Sequence, residues 1–288
     1  MILLRSAVAM ALIGLGPLSG AWGLAGAALG AEIEIERMTW TEVRDAVASG
    51  HTTVLIPTGG TEQNGPHMVL GKHNFIIAET ARRIATRLGD ALVAPVLAYV
   101  PEGDIASRQG HMAYAGTISL TQQTFSTILA ETAASFRAHG FKTIVFIGEH
   151  GASIDPQTTV ATGLSQAWSS EGVRVINAGN YYGGNGGAEW LKSQGETDAA
   201  IGRHATIQDT SELLAVFPAG VRMDKRVADK DGVAGDPTRA TAERGQKLIE
   251  LKVAAAVAEI EAARKLAVVT AAKPARSFFG RIWHWFFG

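Results

Sequence analysis

The sequence predicts an α/β protein with a mostly parallel central sheet flanked by helices. Short apolar segments typical of buried strands alternate with longer amphipathic segments typical of helices, which is the pattern of βαβ units. The predicted strands are 52–57, 91–100, 142–148 and 173–178, and the predicted helices are 41–49, 74–88, 121–139, 156–169 and 239–266. The chain has 288 residues, of which 47% are hydrophobic. We find no internal repeat and no linker within 32–270, so one domain is expected there.

Several helix ends carry residues that suit capping positions. Thr41 suits the start of the first helix, and Asn74 suits the N-cap of the second, which Gly89 would end. Asp155 followed by Pro156 predicts an N-cap and a proline at the first helical position, where the missing N–H is not needed.

The composition limits the chemistry that the chain can perform. There is no cysteine, which excludes thiol catalysis, disulfides and thiolate metal sites. Any metal must therefore be held by His, Asp or Glu. The formal net charge of −1 gives no reason to expect nucleic acid as a partner.

The first 30 residues form a separate compositional unit. Arg5 is their only charged residue, and small and apolar residues follow it up to Leu29. Ala28 and Gly30 are the small residues wanted before a signal-peptidase cleavage site. Residues 1–30 are therefore interpreted as a cleaved signal peptide, which predicts a periplasmic or secreted protein. The alternative is an uncleaved membrane anchor.

The C-terminal segment 271–288 is rich in aromatic and basic residues. It is too short to span a bilayer, which takes roughly 20 residues. Trp and Phe beside Arg276 and Arg281 are typical of a segment that lies at a membrane surface. Peripheral membrane contact is one prediction for this tail, and docking on a neighbouring subunit or disorder are the alternatives.

Residues 53–88 form the segment in which we expect the functional site to be centred. It contains a predicted strand, a Gly-Gly turn, a dense polar segment and an amphipathic helix. The polar segment carries Glu62, Asn64, His67 and His73. A loop after a strand end and before a helix is where open α/β sheets place their chemistry.

Other groups of His and carboxylate residues follow at predicted loops or strand ends. Glu149 and His150 come directly after the apolar strand 142–148, and His204 and Asp209 lie in a later loop. Zn²⁺ and Mn²⁺ bind imidazole nitrogen and carboxylate oxygen. The sequence therefore predicts a metal site assembled from separate strand ends.

Five ordered segments resemble the creatininase (creatinine amidohydrolase) family. PTGGTEQNGPH…LGKHN is similar to the family signature P-x-G-S-x-E-Q-H-G-P-H-L-P-x-x-T-D. Residues 115–120 are similar to its P-G-T-[IL]-S and 148–153 to its N-G-H-G-G-N. Residues 204–211 are similar to H-A-G-x-x-E-T-S, and 232–241 to G-V-x-G-D-P-T-x-A-T. The resemblance covers residues 38–266.

The resemblance implies a three-layer creatininase-like fold, a dinuclear metal centre and hydrolysis of a non-peptide or cyclic amide C–N bond of a small molecule. It also implies a homo-oligomer, often a hexamer. By position, Glu62 would bind the first metal, His150 would be a metal-binding imidazole, and Asp209 would stand for the carboxylate that helps hold the second metal. His204 would lie near the substrate as an acid/base or oxyanion-stabilising group.

Two positions depart from the family pattern. Asn64 stands where the family has a His ligand, and His73 stands where it has the bridging Asp. A neutral imidazole has one free lone pair, so His73 cannot bridge two ions. Glu62, His73 and His150 would remain as a three-ligand catalytic set with an open position for water. We expect one tight divalent metal, with Zn²⁺ first and Mn²⁺ as the alternative, and a weak or absent second one.

The first functional hypothesis is a metal-dependent amidohydrolase that uses a metal-activated water. Because Glu62 is taken as a ligand, Glu149 or Asp209 would act as the base, and either could also complete the ligand set. His204 would stabilise the oxyanion or protonate the leaving nitrogen. His67 would orient a ligand or be a structural histidine.

Two alternatives stay open. A single metal on the same scaffold could act on a lactone or a sugar-like substrate, or the chain could be a non-catalytic binding protein. Substrate choice is expected to depend on loops such as 101–114 and 179–195.

Overall fold

The structure, a computed structural model, describes residues 32–266. The predicted signal peptide 1–30 and the tail 271–288 lie outside the described residues, so signal cleavage, the periplasmic or secreted location and membrane contact stay predictions. Among the described helices, none has both the length and the apolar character needed to cross a bilayer.

Within residues 32–266 the chain forms four strands and eight α-helices. In chain order they are α1 (Trp40–Ala48), β1 (Thr53–Thr58), α2 (Lys72–Leu88), β2 (Ala91–Val93), α3 (Gln122–Ala138), β3 (Thr143–Gly148), α4 (Gly151–Ala167), β4 (Arg174–Asn177), α5 (Gly187–Ser193), α6 (Asp198–Ile201), α7 (Ile207–Val216) and α8 (Ala242–Lys265).

The four strands form one parallel sheet in the order β2-β1-β3-β4. This confirms the predicted α/β class. From β1 the chain crosses to β2 on one side, and from there to β3 on the other side of β1. The strand order therefore reverses between β1 and β3, and such a switch point is where open sheets bind ligands. Thr58 is paired with Gly148, so β1 and β3 end at the same level.

Helices cover both faces of the sheet. Alternate strand residues point to opposite faces. Leu55 and Val145 are buried with α2 and α8 on one face. Val54 and Ile144 are buried with α3 and α4 on the other. The result is the predicted three-layer arrangement, with the sheet as the middle layer.

Two predicted boundaries and one predicted cap were wrong. β2 ends at Val93 rather than at 100, because Pro95 follows two residues later and lacks the N–H that a ladder needs. α4 begins at Gly151, so Asp155 is not its N-cap. Pro156 lies inside the helix, near its start, where its ring removes one intrahelical hydrogen bond.

The helix caps differ in detail from the predicted ones. Thr39, rather than Thr41, caps α1 in a reciprocal capping box with Glu42. α2 begins two residues before Asn74, whose side chain instead accepts a hydrogen bond from the Gly60 N–H at 3.0 Å. Gly89 ends α2 in the left-handed conformation, as predicted. Helices α5, α6 and α7 were not predicted.

Candidate metal centre

Glu62 lies in the loop that follows β1, and its carboxylate is fully buried. Its backbone N–H donates to Leu70 O at 3.1 Å, which fixes the loop. The two carboxylate oxygens face different partners. Oε1 accepts a hydrogen bond from His73 Nε2 at 2.7 Å. Oε2 lies 3.0 Å from His111 Nε2 and 3.3 Å from His150 Nε2.

Four side chains converge at the Oε2 oxygen. Glu62, Glu102, His111 and His150 each offer one ligand atom, and these atoms lie within 4.8 Å of one another. Glu102 Oε2 is 3.0 Å from His150 Nε2. Glu102 and His150 are buried, and His111 is partly buried. We call these four residues the centre.

Unpaired buried atoms indicate that the centre suits a cation. Oε2 of Glu62 and both carboxylate oxygens of Glu102 are buried, and none of them takes part in a well-oriented hydrogen bond. A buried polar atom without a partner costs about 1–3 kcal/mol, and more when it is charged. A divalent metal would satisfy these oxygens together with the neighbouring imidazoles. The donor set of two imidazoles and two carboxylates therefore fits Zn²⁺ or Mn²⁺.

Gly60 makes room for Glu102. A Cβ at Gly60 would lie 2.4 Å from Glu102 Oε1, which is too close for any side chain. The φ angle of Gly60 is +154°, which residues with side chains rarely adopt. The Gly-Gly turn after β1 thus allows a carboxylate from another part of the chain to approach the strand end.

The irregular connection 94–121 supplies both Glu102 and His111. Hydrogen bonds within the connection hold its shape: the Glu102 N–H donates to Ser119 Oγ at 2.9 Å, and the His111 N–H donates to Glu102 O at 3.1 Å. Thr117 Oγ1 accepts from the Gln63 N–H at 3.2 Å, which attaches the connection to the loop after β1.

The charged groups of the centre shift one another's pKa values. Burial would raise the pKa of Glu62, but the neighbouring imidazoles of His111, His150 and His73 outweigh it and hold that pKa far below the ordinary value. Burial would lower the pKa of His150, but Glu102 and Glu62 raise it to about 9. Burial raises the pKa of Glu102 to about 7. Without an ion, a proton on His150 therefore balances the carboxylates at neutral pH.

Comparison with known proteins places the chain in a family. The profile of the Creatininase family, described as creatinine amidohydrolase, matches residues 36–260. The chain belongs to the creatininase family. The predicted family is thus confirmed, and so is the predicted class of enzyme, since members of this family are metal-dependent amidohydrolases.

Individual relatives share part of this similarity. A "Mycofactocin precursor peptide peptidase" of Mycobacterium tuberculosis is 28% identical over 231 residues, which cover 70% of this chain and 81% of the relative. A "Creatinine amidohydrolase" of Pseudomonas putida is 29% identical over 116 residues, covering 40% of this chain and 44% of the relative. The solved structure "Creatininase Mn" superposes with a TM-score of 0.67 at 22% identity, covering 82% of this chain and all of that one.

Of the residues predicted in this creatininase-family chain as metal ligands, Glu62 and His150 lie in the centre. His73 lies next to it and donates to Glu62 without being one of the four. Burial and the charge of Lys72 lower the pKa of His73 to about 3, so its imidazole is neutral. In this position His73 orients the carboxylate of Glu62.

Asp209, the fourth predicted ligand and a predicted catalytic residue, belongs to a different group. Its Oδ1 lies 2.7 Å from Lys72 Nζ, and its Oδ2 accepts from the Thr206 N–H at the start of α7. The side chain of Lys72 is only 1% exposed. Burial opposes its charge, but Asp209 and Glu62 outweigh burial and raise the pKa of Lys72. Asp209 therefore already has a cationic partner.

Glu149, the other predicted base, is held in a buried network behind the centre. Its Oε1 lies 2.5 Å from Lys252 Nζ on α8, and its Oε2 accepts from the hydroxyl of Tyr181. Lys252 also binds Glu212 at 2.5 Å. Both oxygens of Glu149 are thus occupied by partners other than the centre.

His204, the remaining predicted catalytic residue, lies at the edge of the centre. Its Nδ1 is 3.8 Å from Glu62 Oε1, and its ring centroid is 4.5 Å from that of His111. The Gln63 amide nitrogen lies within 3.1 Å of a ring nitrogen of both histidines. The His204 side chain is 18% exposed, so it can reach a molecule in the site.

His67 and Asn64 support the loop rather than join the centre. His67 Nε2 lies 2.9 Å from Thr210 Oγ1, which connects the loop to α7. The amide nitrogen of Asn64 donates to Glu62 O at 2.9 Å.

Glu102 and His111 were not singled out from the sequence. One signal could have found them. The connection between β2 and α3 is long and contains only one short 3-10 helix, Gly110–Ala113. Long connections of this kind inside a compact domain are usually functional.

Proposed function

We propose that the protein hydrolyses an amide C–N bond of a small molecule, with one divalent metal ion held by Glu62, His111 and His150. The observation that carries this proposal is the convergence of the four ligand atoms within 4.8 Å, with buried carboxylate oxygens that lack partners. One carboxylate and two imidazoles form a known catalytic zinc set, which leaves a position for water.

When bound, such an ion supplies a Lewis acid and lowers the pKa of water from 15.7 toward about 7. Glu102 is the general base in this proposal. Its Oε2 lies 3.0 Å from His150 Nε2, and neither of its oxygens takes part in a well-oriented hydrogen bond, so one can accept a proton within the site. His204 lies on the other side of Glu62 and donates a hydrogen bond to the developing oxyanion or a proton to the leaving nitrogen.

The substrate class rests on the family and on the relatives. The similarity to the peptide peptidase covers 70% of this chain, and the similarity to the creatinine amidohydrolase covers 40%. Both names describe cleavage of an amide-type C–N bond. A substrate panel should therefore contain cyclic amides and short peptides, with lactones as the comparison class.

The experiment combines metal analysis with this panel. Purified protein stripped by a chelator and refilled with Zn²⁺ or Mn²⁺ is expected to hydrolyse amides faster than lactones. Glu102→Gln should keep the ion and lower kcat by about 10²–10⁴-fold, because it removes only the base. Glu62→Gln should lose the ion.

Other outcomes have distinct meanings. Loss of the ion from Glu102→Gln, in the same proportion as from Glu62→Gln, would make Glu102 a ligand rather than the base. Preference for lactones would contradict the amide assignment. Absence of both bound metal and hydrolysis would contradict the proposal and favour a non-catalytic binding protein.

A further inference from the structure

Glu62 separates two sides of the site. Its Oε2 faces the centre, whereas its Oε1 faces His73 at 2.7 Å and His204 Nδ1 at 3.8 Å. Lys72, which is paired with Asp209, lies close enough to His73 and His204 for its charge to lower the pKa of both imidazoles. We call the group formed by His73, Lys72 and Asp209 beside Glu62 Oε1 the second side.

The two sides differ in how their charges are balanced. On the side of the centre, buried carboxylate oxygens of Glu62 and Glu102 take part in no well-oriented hydrogen bond. On the second side, Asp209 is paired with the Lys72 ammonium at 2.7 Å, and Glu62 Oε1 accepts from His73. The second side therefore already contains the fixed ammonium of an ion pair, whereas the carboxylates of the centre face imidazole rings.

The Lys72 side chain has a fixed, buried position. Lys72 is the first residue of α2, and its side chain is buried at 1% exposure. An ammonium group is a compact point charge with three donors. Its charge interacts with those of Asp209 and Glu62, the carboxylates that border the second side.

We propose that the Lys72 ammonium is a built-in cation that takes the place of a second metal ion and keeps the centre mononuclear. This inference rests on the proposed single-metal hydrolase. The ligand changes at Asn64 and His73 are one reason for the absence of a second metal ion, and the Lys72 charge is a separate reason. Because of this charge, the second side would exclude a metal ion even if better ligands were present.

The test counts ions in the whole protein. Protein stripped by a chelator is refilled with Mn²⁺, freed of excess ion and analysed by atomic emission. We expect one ion per chain in the unchanged protein and in Lys72→Arg, which keeps the charge. Lys72→Ala should approach two ions per chain, because Asp209 loses its partner. Lys72→Ala with Asp209→Asn should return to one.

A second comparison separates this cause from the ligand changes. The pair Asn64→His with His73→Asp should stay at one ion while Lys72 is present and approach two when Lys72→Ala is added. Two ions in the pair alone would overturn the proposal, as would one ion in Lys72→Ala that is folded by circular dichroism.

Electron paramagnetic resonance tests, in the unchanged protein, whether the site holds one metal ion or two. Two Mn²⁺ ions about 3.5–4 Å apart would give a coupled spectrum. An uncoupled six-line signal from the unchanged protein at saturation supports the proposal, and a coupled signal overturns it. Two ions in the unchanged protein would refute only the role of Lys72, whereas a count of zero would refute the proposed function as well.

Discussion

His73 Nε2 and Glu62 Oε1 lie 2.7 Å apart, so one imidazole holds the carboxylate whose other oxygen faces the centre. His73 thus supports the centre from outside, whereas His111 is one of its four members. This difference in position can be measured as a difference in metal affinity.

We expect His73→Ala to weaken Zn²⁺ binding by about 10–100-fold, as is usual when the partner of a ligand is removed. His111→Ala should weaken binding further, because it removes a ligand. Competition against a chromogenic chelator measures both constants. The exposed His139, directly after α3, provides a control, since His139→Ala should leave the affinity unchanged. A larger loss in His73→Ala than in His111→Ala would make His73 the ligand.

Gly60→Ala should damage the site with little change elsewhere. The new Cβ would lie 2.4 Å from Glu102 Oε1 and would displace that carboxylate. We expect a fall in kcat of at least about tenfold, because a base displaced by about 1 Å loses its reaction geometry. Gly183→Ala is the matched control, since its Cβ would meet nothing within 4 Å. Equal activity of the two variants would contradict the placement of Glu102.

Metal binding should release protons and strengthen as the pH rises. The pKa of His150 is about 9 without an ion, so this imidazole is protonated at neutral pH and must lose its proton to bind metal. Apparent affinity should therefore rise with pH up to about 9 and then level off. Calorimetry in two buffers of different ionisation enthalpy counts the protons released. No release at pH 7 would mean that His150 does not bind the ion.

The buried network around Lys252 should contribute strongly to stability. Its ammonium pairs with Glu149 and Glu212, and all three side chains are nearly inaccessible. Lys252→Met leaves these carboxylates without their cation, so the free energy of unfolding should fall by about 3–5 kcal/mol.

Urea unfolding measures this change. The exposed pair Arg87 and Glu250 provides the comparison, since Arg87→Met should change stability by no more than about 1 kcal/mol. Similar losses in Lys252→Met and Arg87→Met would show that the buried network adds nothing beyond a surface ion pair.

The layered fold could be predicted because it depends on local patterns. Apolar strands and amphipathic helices alternate along the chain, and both signals lie in short windows of sequence. The end of β2 could have been predicted from Pro95, whereas the isolated bridges beyond Val93, such as Thr58 with Leu97, could not. Those bridges depend on contacts between distant segments.

The site was predictable only in part, for the same reason. Glu62 and His150 follow predicted parallel strands, whose carboxyl ends meet at one edge of the sheet. Glu102 reaches them only because the connection 94–121 folds back on itself, for example through the Ser119 hydroxyl. The pairing of Asp209 with Lys72 joins α7 to α2, and no spacing in the sequence indicates it.

The four members of the centre come from two kinds of backbone. Glu62 and His150 follow the strands β1 and β3, whereas Glu102 and His111 belong to the irregular connection 94–121. An ion held by Glu62, His111 and His150 would act as a cross-link that fastens this connection to the edge of the sheet. Removing it would release this connection from the strand ends while the layered core stays folded, so metal depletion would inactivate the enzyme without unfolding it.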